Sequence, residues 1–121
     1  MPIYHSEQRQ IESVRKKWPD PLVMLHPETA QSLNMSEGEW VKVVTPQGSI
    51  RMKLQLSDAI DPRMVDLQHG WWFPERKEAE PELFGVFESN ANILCPDGPE
   101  FCSPEIGGWP HTALLCRVAK V

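Results

Sequence analysis

Alternating apolar and polar residues mark the clearest elements of this chain, two strands near its centre. Between Ile50 and Leu56 the apolar residues occupy every second position, and Arg, Lys and Gln fill the positions between them. A period of two predicts a strand that buries one face. A second strand is predicted over 40–45, and the four residues 46–49 are predicted to join the two strands as a hairpin.

The residues before this hairpin predict a longer helix. Ile11, Val14 and Trp18 recur at spacings of three and four, which places them on one helical face. The spacing predicts a helix over 6–18, and the prolines that follow it cannot extend a helix.

A short strand and a second helix come next. The apolar run Leu22–Leu25 predicts a buried strand, and Pro27 suits the first position of a helix. Ala30 and Leu33 of that helix are predicted to face the core. A turn over 34–38 then leads into the central hairpin.

The second half of the chain contains a long stretch without any period. Strands are predicted over 64–67 and 112–118, whereas residues 68–108 are rich in Pro, Gly, Glu and Asn. Aromatic residues in and beside this stretch argue against disorder, and a long irregular region in a compact domain is usually functional. We therefore expect a mainly β fold, a small closed barrel with two short helices and a long irregular loop region, as one domain over 1–121.

Composition and charge exclude several classes of function. The formal net charge of −5 opposes a nucleic-acid-binding surface. No run of eighteen apolar residues is present, so we expect no membrane insertion by this chain. The three cysteines form no Cys-x-x-Cys pair, so neither a zinc ribbon nor a thioredoxin-type motif is indicated, and their odd number favours free thiols.

The order of several sequence blocks resembles one known family. His26–Ala30, the segment 33–41 with its Gly38, and Gly48–Ile50 are similar to the C-terminal dinucleotide-binding domain of the dimethyl-sulfoxide-reductase family. His69-Gly70-Trp71-Trp72 and the segment 89–94 match two further blocks of that domain. The members of this family hold molybdenum or tungsten between two pterin guanine dinucleotides.

The resemblance implies a fold, a cofactor and partners. The family fold is a double-psi β-barrel, and the cofactor is molybdopterin guanine dinucleotide. The resemblance also implies that the chain is a fragment of a larger chain, without its first strand, whose remaining domains are its partners. These domains would supply the metal ligand and the catalytic groups, so we expect the isolated domain to be inactive. The compartment, cytoplasmic or periplasmic, would depend on the parent enzyme.

The resemblance also implies a set of cofactor-binding residues in four groups. The first group would bind phosphate, the second would pair with a ring edge, the third would line the site, and the last is a polar residue before the final strand. These residues are His5, Ser6 and Arg9, then Asn90 and Asn92, then His69, Gly70, Trp71 and Trp72, then His111. By residue type alone, the first group is also compatible with a plain helix cap, the asparagines with turn residues, and the tryptophans with core or interdomain residues.

Three other classes of function remain open from the residues alone. Trp71 and Trp72 could stack on sugar rings in a carbohydrate-binding module, or contact another protein. Cys95 or Cys102 could be a nucleophile beside a histidine. Cys95, Cys102, Cys116 and His111 could bind zinc, although ligand pairs two to four residues apart are missing.

Overall fold

One five-stranded sheet forms the centre of the protein. The structure, a computed structural model, describes residues 6–110 and 114–121. The strands, in chain order, are β1 (Leu22–Leu25), β2 (Trp40–Val44), β3 (Ser49–Leu56), β4 (Asp66–Leu67) and β5 (Arg117–Lys120). They lie side by side in the order β4-β1-β3-β2-β5. β1 and β3 are parallel, and the other neighbours are antiparallel.

Short helices surround the sheet. The α-helices are α1 (Glu12–Lys17), α2 (Pro27–Ser32) and α3 (Val86–Ser89), and 3₁₀ turns span Ser6–Gln10, Leu83–Gly85, Ala91–Leu94 and Pro99–Phe101. α2 begins as predicted, because Pro27 occupies its first turn and the Nδ1 atom of His26 accepts a hydrogen bond from the Glu28 amide at 3.2 Å. This cap pairs one of the amides that a helix start leaves without a partner.

The core lies under the inward face of the three central strands, β1, β3 and β2. Ile50, Met52 and Leu54 of β3 are at most 1% exposed. Val41 and Val43 of β2 pack beside them in the same cluster. The predicted alternation of β3 is thus confirmed, and its position at the centre of the sheet explains why its inward side chains are so completely buried.

The helix predicted over 6–18 was wrong as a single element. A 3₁₀ turn and α1 replace it, separated by Ile11 in an extended conformation at φ −85° and ψ 112°. Ile11 is 48% exposed, and α1 buries no residue. The side chains of Ile11, Val14 and Trp18 are therefore not part of the core.

Leu33 also differs from the prediction. It is 39% exposed, whereas Met35 reaches the core at 7% exposure. Asn34, between them, has a positive φ of 54°. This left-handed residue ends the helical path of α2, and the next residue, Met35, lies in the core.

The two outer strands differ from the prediction, since β4 is shorter than predicted and β5 begins later in the chain. Only Asp66–Leu67 of 64–67 forms a strand, since the amide of Met64 donates to the Asp61 carbonyl in a turn at 2.9 Å. β5 begins at Arg117, five residues after the predicted start of the last strand, and 112–113 lie outside the described residues.

A mainly β architecture with short helices is confirmed, while closure of the barrel is not shown. In the pairing of the described strands, β4 and β5 are the two edges of an open sheet. Among the helices of the described ranges, none has the length and apolarity needed to cross a bilayer.

Truncation of Met52 tests the central position of β3. Met52→Ala removes a side chain that is 0% exposed, so we expect a loss of about 2–5 kcal/mol in the free energy of unfolding. Met64→Ala is the matched control, because Met64 is 60% exposed and its loss is expected to stay within about 0.5 kcal/mol. Urea denaturation measures both, and similar losses would contradict this account of the core.

Candidate functional site

A buried glutamine anchors the start of the loop that follows β4. The amide of Leu22 donates to Gln68 Oε1 at 2.8 Å, and the amide of Gln68 donates to the Leu22 carbonyl at 3.1 Å. Gln68 is 4% exposed. Gly70 follows with φ 63°, a backbone conformation that favours glycine. The anchor and the glycine together direct Trp71 into the protein and leave His69 exposed.

Arg9 and Trp71 form a buried stack. Each is 1% exposed, and the guanidinium carbon of Arg9 lies 4.1 Å from the centroid of the Trp71 ring. Arg9 Nη1 donates to the Trp18 carbonyl at 2.9 Å, and Arg9 Nε donates to the Trp72 carbonyl at 3.4 Å. Burial, the largest cause, lowers the pKa of Arg9, and the nearby Glu75 carboxylate raises it. An arginine nevertheless stays protonated.

Aromatic contacts join this loop to the following segment. The Trp72 and Phe84 rings meet edge to face, with centroids 5.6 Å apart at an interplanar angle of 77°. The amide of Phe73 donates to the Phe84 carbonyl at 2.8 Å. Since Phe84 lies just before α3, the position of α3 is coupled to that of Trp72.

The segment after α3 is fixed on the central hairpin. Ser89 is fully buried and its hydroxyl donates to the Arg51 carbonyl at 2.7 Å, while the Thr45 hydroxyl donates to the Leu94 carbonyl at 2.9 Å. A Cβ placed on Gly48 would lie 2.8 Å from Ile93 Cγ2 and 2.9 Å from the Ile93 carbonyl oxygen. Only glycine at this position allows so close an approach.

Asn90 and Asn92 lie between these anchors. Asn90 Oδ1 accepts a hydrogen bond from the Asn92 amide at 3.0 Å and caps the 3₁₀ turn 91–94. The Asn90 side chain is half-buried and that of Asn92 is exposed. The turn chemistry expected of these asparagines is thus present, and it leaves the Asn92 side chain at the surface.

The structure brings the predicted residues together in two groups. Arg9, Trp71 and Trp72 form one group, Asn90 and Asn92 form the other, and contacts through Phe84 and α3 connect them. His5 and His111 lie outside the described residues, as does the side chain of Ser6.

Sequence reasoning missed the residues that fix these loops. Gln68, Ser89 and Thr45 each bond to the backbone of a residue at least 38 positions away. No periodicity or motif marks such residues, because their partners become neighbours only in the folded chain.

The three rival functions lack structural support. Trp71 offers no exposed face to a sugar ring, since it is 1% exposed and Arg9 covers its ring. Burial raises the pKa of the Cys95 thiol, which is opposite to what a nucleophile requires. Within the described ranges, no three His, Cys, Asp or Glu residues cluster as metal ligands.

Two open surface grooves lie elsewhere. One, of about 270 Å³, lies beside Trp18 and the Lys53–Asp20 ion pair, and the other, of about 290 Å³, lies between α2 and β5. Of the predicted site residues whose side chains the structure describes, none lines either groove. These residues therefore belong to a loop surface outside the two grooves.

Comparison with known proteins identifies the family. Residues 3–104 match the family described as "Molydopterin dinucleotide binding domain". The chain belongs to this family. The sequence-based assignment to the molybdopterin-dinucleotide-binding domain of the dimethyl-sulfoxide-reductase family is thereby confirmed.

Characterised relatives of this molybdopterin-binding domain are much longer proteins. Dopamine dehydroxylase of Eggerthella lenta is 39% identical over 80 residues, which are 65% of this chain and 8% of that protein. Acetylene hydratase of Syntrophotalea acetylenica is 35% identical over 96 residues, which are 78% of this chain and 13% of that protein. The solved acetylene hydratase from Pelobacter acetylenicus matches 99% of this chain and 17% of its own, with a TM-score of 0.88 at 30% identity.

Substitution of Gly48 tests how closely the 91–94 turn rests on the hairpin. Gly48→Ala forces the Ile93 backbone to move, because its Cβ would approach to 2.9 Å of a carbonyl oxygen. We expect a loss of about 1–3 kcal/mol in the free energy of unfolding and faster hydrogen exchange at the Ile93 and Cys95 amides. Gly108→Ala is the control, since its nearest contact would be a side-chain atom 4.0 Å away. Equal effects of the two substitutions would disprove the close packing.

Proposed function

We propose that this chain holds one dinucleotide limb of a molybdopterin guanine dinucleotide cofactor within a larger molybdenum or tungsten oxidoreductase. The family match over 3–104 is the observation that carries the proposal. The likeness to acetylene hydratase over nearly the whole chain supports it. The guanine form, the metal and the parent enzyme are parts of this proposal.

The Asn90–Asn92 turn is proposed to bind the guanine or pterin edge. An amide side chain carries both donors and an acceptor, which suits a heterocyclic edge. Asn90 Oδ1 is engaged by the Asn92 amide, and the Asn92 side chain is exposed. The backbone of the turn is therefore held by this hydrogen bond, and it would present the Asn92 side-chain amide to a ligand without a rearrangement of the backbone.

The electrostatic setting of this turn suits an anionic cofactor. Glu88 is the acidic residue closest in sequence to Asn90, and its carboxylate pairs with Arg76 and lies 3.8 Å from Arg51 Nη1. None of the proposed site residues is acidic. The two arginines thus offset the negative charge of Glu88, which would otherwise repel an approaching pyrophosphate.

The other proposed contacts follow the resemblance. His5 and Ser6 would donate to phosphate, and His111 would contact a pterin. His69 is exposed beside Gly70, and both residues would line the site. Trp72 and the buried Trp71 would give this side of the site its shape. When bound, the metal–pterin group would supply the redox centre, and this chain would contribute binding and orientation.

The remaining domains of the parent enzyme are the proposed partners. The chain spans 8 to 17% of the length of the relatives described above. Several large apolar side chains are exposed, namely Leu115 at 93%, Ile106 at 82% and Phe87 at 60%. We propose that the partner domains cover these side chains in the parent enzyme. The metal ligand and catalytic groups are proposed to lie in those partner domains.

A double-psi barrel is the fold that we propose for this sheet in its parent. The parallel pairing of β1 with β3 supports the proposal, since it requires a crossover between sequentially separate strands. The free edges of β4 and β5 are available for closure.

Titration with guanosine diphosphate tests the proposed cofactor contact. This probe carries the guanine and the pyrophosphate of the cofactor, and we expect weak binding with amide shifts centred on 90–94. Asn92→Asp places a negative charge beside the anion, so the affinity should fall by at least about tenfold, or about 1.4 kcal/mol.

Asn34→Asp is the matched control. Asn34 is exposed and lies in the turn between α2 and β2. We expect this substitution to leave the affinity unchanged. Equal weakening by both substitutions, or shifts confined to residues outside 69–72 and 90–94, would refute the proposed site.

A further inference from the structure

Arg9 occupies an unusual position for a residue expected to bind phosphate. Its 1% exposure leaves almost none of its surface for contact with a ligand. Two of its N–H groups already donate to the carbonyls of Trp18 and Trp72. Its charged plane lies against the ring of Trp71. Each of these contacts is made to the protein itself.

The contacts of Arg9 join three segments that are separate in sequence. They are the 3₁₀ turn that carries Arg9, the end of α1 at Trp18, and the loop at Trp71 and Trp72. A second arginine reinforces the same junction. Arg15 Nη1 donates to the Arg9 carbonyl at 2.9 Å, and Arg15 Nε lies 2.7 Å from Glu75 Oε1.

The chemistry of this junction requires an arginine. A planar guanidinium can stack on an indole and donate in its own plane at the same time, whereas a lysine ammonium is a single charged point. The Trp71 indole Nε1 has no hydrogen-bond partner among the described residues. Contacts of the ring therefore hold Trp71 in place. One face of the ring lies against Arg9, and the Trp71 and Phe73 rings meet edge to face with their centroids 6.3 Å apart.

We propose that Arg9 is a positioning residue that fixes the N-terminal turn against the Trp71–Trp72 loop and does not itself touch the cofactor. The inference rests on the proposed function, since it assigns that loop to the cofactor site. It replaces the phosphate contact expected for Arg9 with an internal contact. His69 and Gly70, just before Trp71, would depend on Arg9 for their orientation.

Hydrogen exchange on the folded chain tests the internal contact. Arg9→Met removes the charge and the donors at similar length, and we expect exchange at the Phe73 and Arg76 amides to accelerate by about tenfold or more. The amides of the β2–β3 hairpin should change by less than about twofold. Arg9→Lys keeps the charge without the plane, so it should accelerate loop exchange nearly as much. This second variant decides the question if Arg9→Met does not fold.

Arg63→Met is the control for loss of an arginine. Arg63 pairs with Asp61, and its side chain is 90% exposed. We expect it to leave exchange in both regions unchanged. If the Arg9 variants fold with native exchange at Phe73 and Arg76, the inference is overturned.

Guanosine diphosphate binding separates positioning from direct contact. A positioning role predicts weaker binding by the Arg9 variants with an unchanged dependence on salt. Loss of a phosphate contact would instead flatten the salt dependence, and with native loop exchange it would overturn the inference. If the unaltered chain fails to bind the nucleotide, the proposed function is rejected, and the exchange data still decide the role of Arg9 in the fold.

Discussion

Hydrogen bonds from side chains to the main chain hold the long irregular region on the sheet. The described residues 68–110 contribute no strand, yet their buried amides and carbonyls still need partners. The Thr45 hydroxyl pairs one of these carbonyls, at Leu94, and the side chains of Gln68 and Ser89 bond in turn to the backbone of β1 and β3. Without these anchors, the aromatic loop and the asparagine turn would have no fixed position relative to the core.

This arrangement suits a domain that binds a large, flexible cofactor. Loops on a rigid scaffold can adopt the shapes that a nucleotide requires, but mobile loops must be ordered when the ligand binds, which weakens affinity. The anchors reduce that cost because they order the loops before binding. The chain belongs to a dinucleotide-binding family. A sheet that holds the loops in place, and loops that are available to contact a ligand, are consistent with that membership.

The contact between Arg9 and Trp71 shows that residue type alone does not identify the partner of an arginine. An arginine two residues beyond a histidine–serine–glutamate block is a reasonable phosphate ligand by composition. In the structure its guanidinium lies within the protein, where stacking and carbonyl acceptors offset part of the cost of burying the charge. The same donors that can bind a phosphate can also bind backbone carbonyls, and sequence does not distinguish these partners.

The sequence by itself determined the central strands, the start of α2 and the family, because alternation, proline placement and the order of motif blocks are local properties. Tertiary structure decided the rest. It divided the predicted helix over 6–18, left Leu33 outside the core, buried Trp71 and coupled the two groups of site residues through Phe84. These outcomes depend on contacts such as Gln68 with Leu22, 46 positions apart, whose energies exist only once the chain has folded.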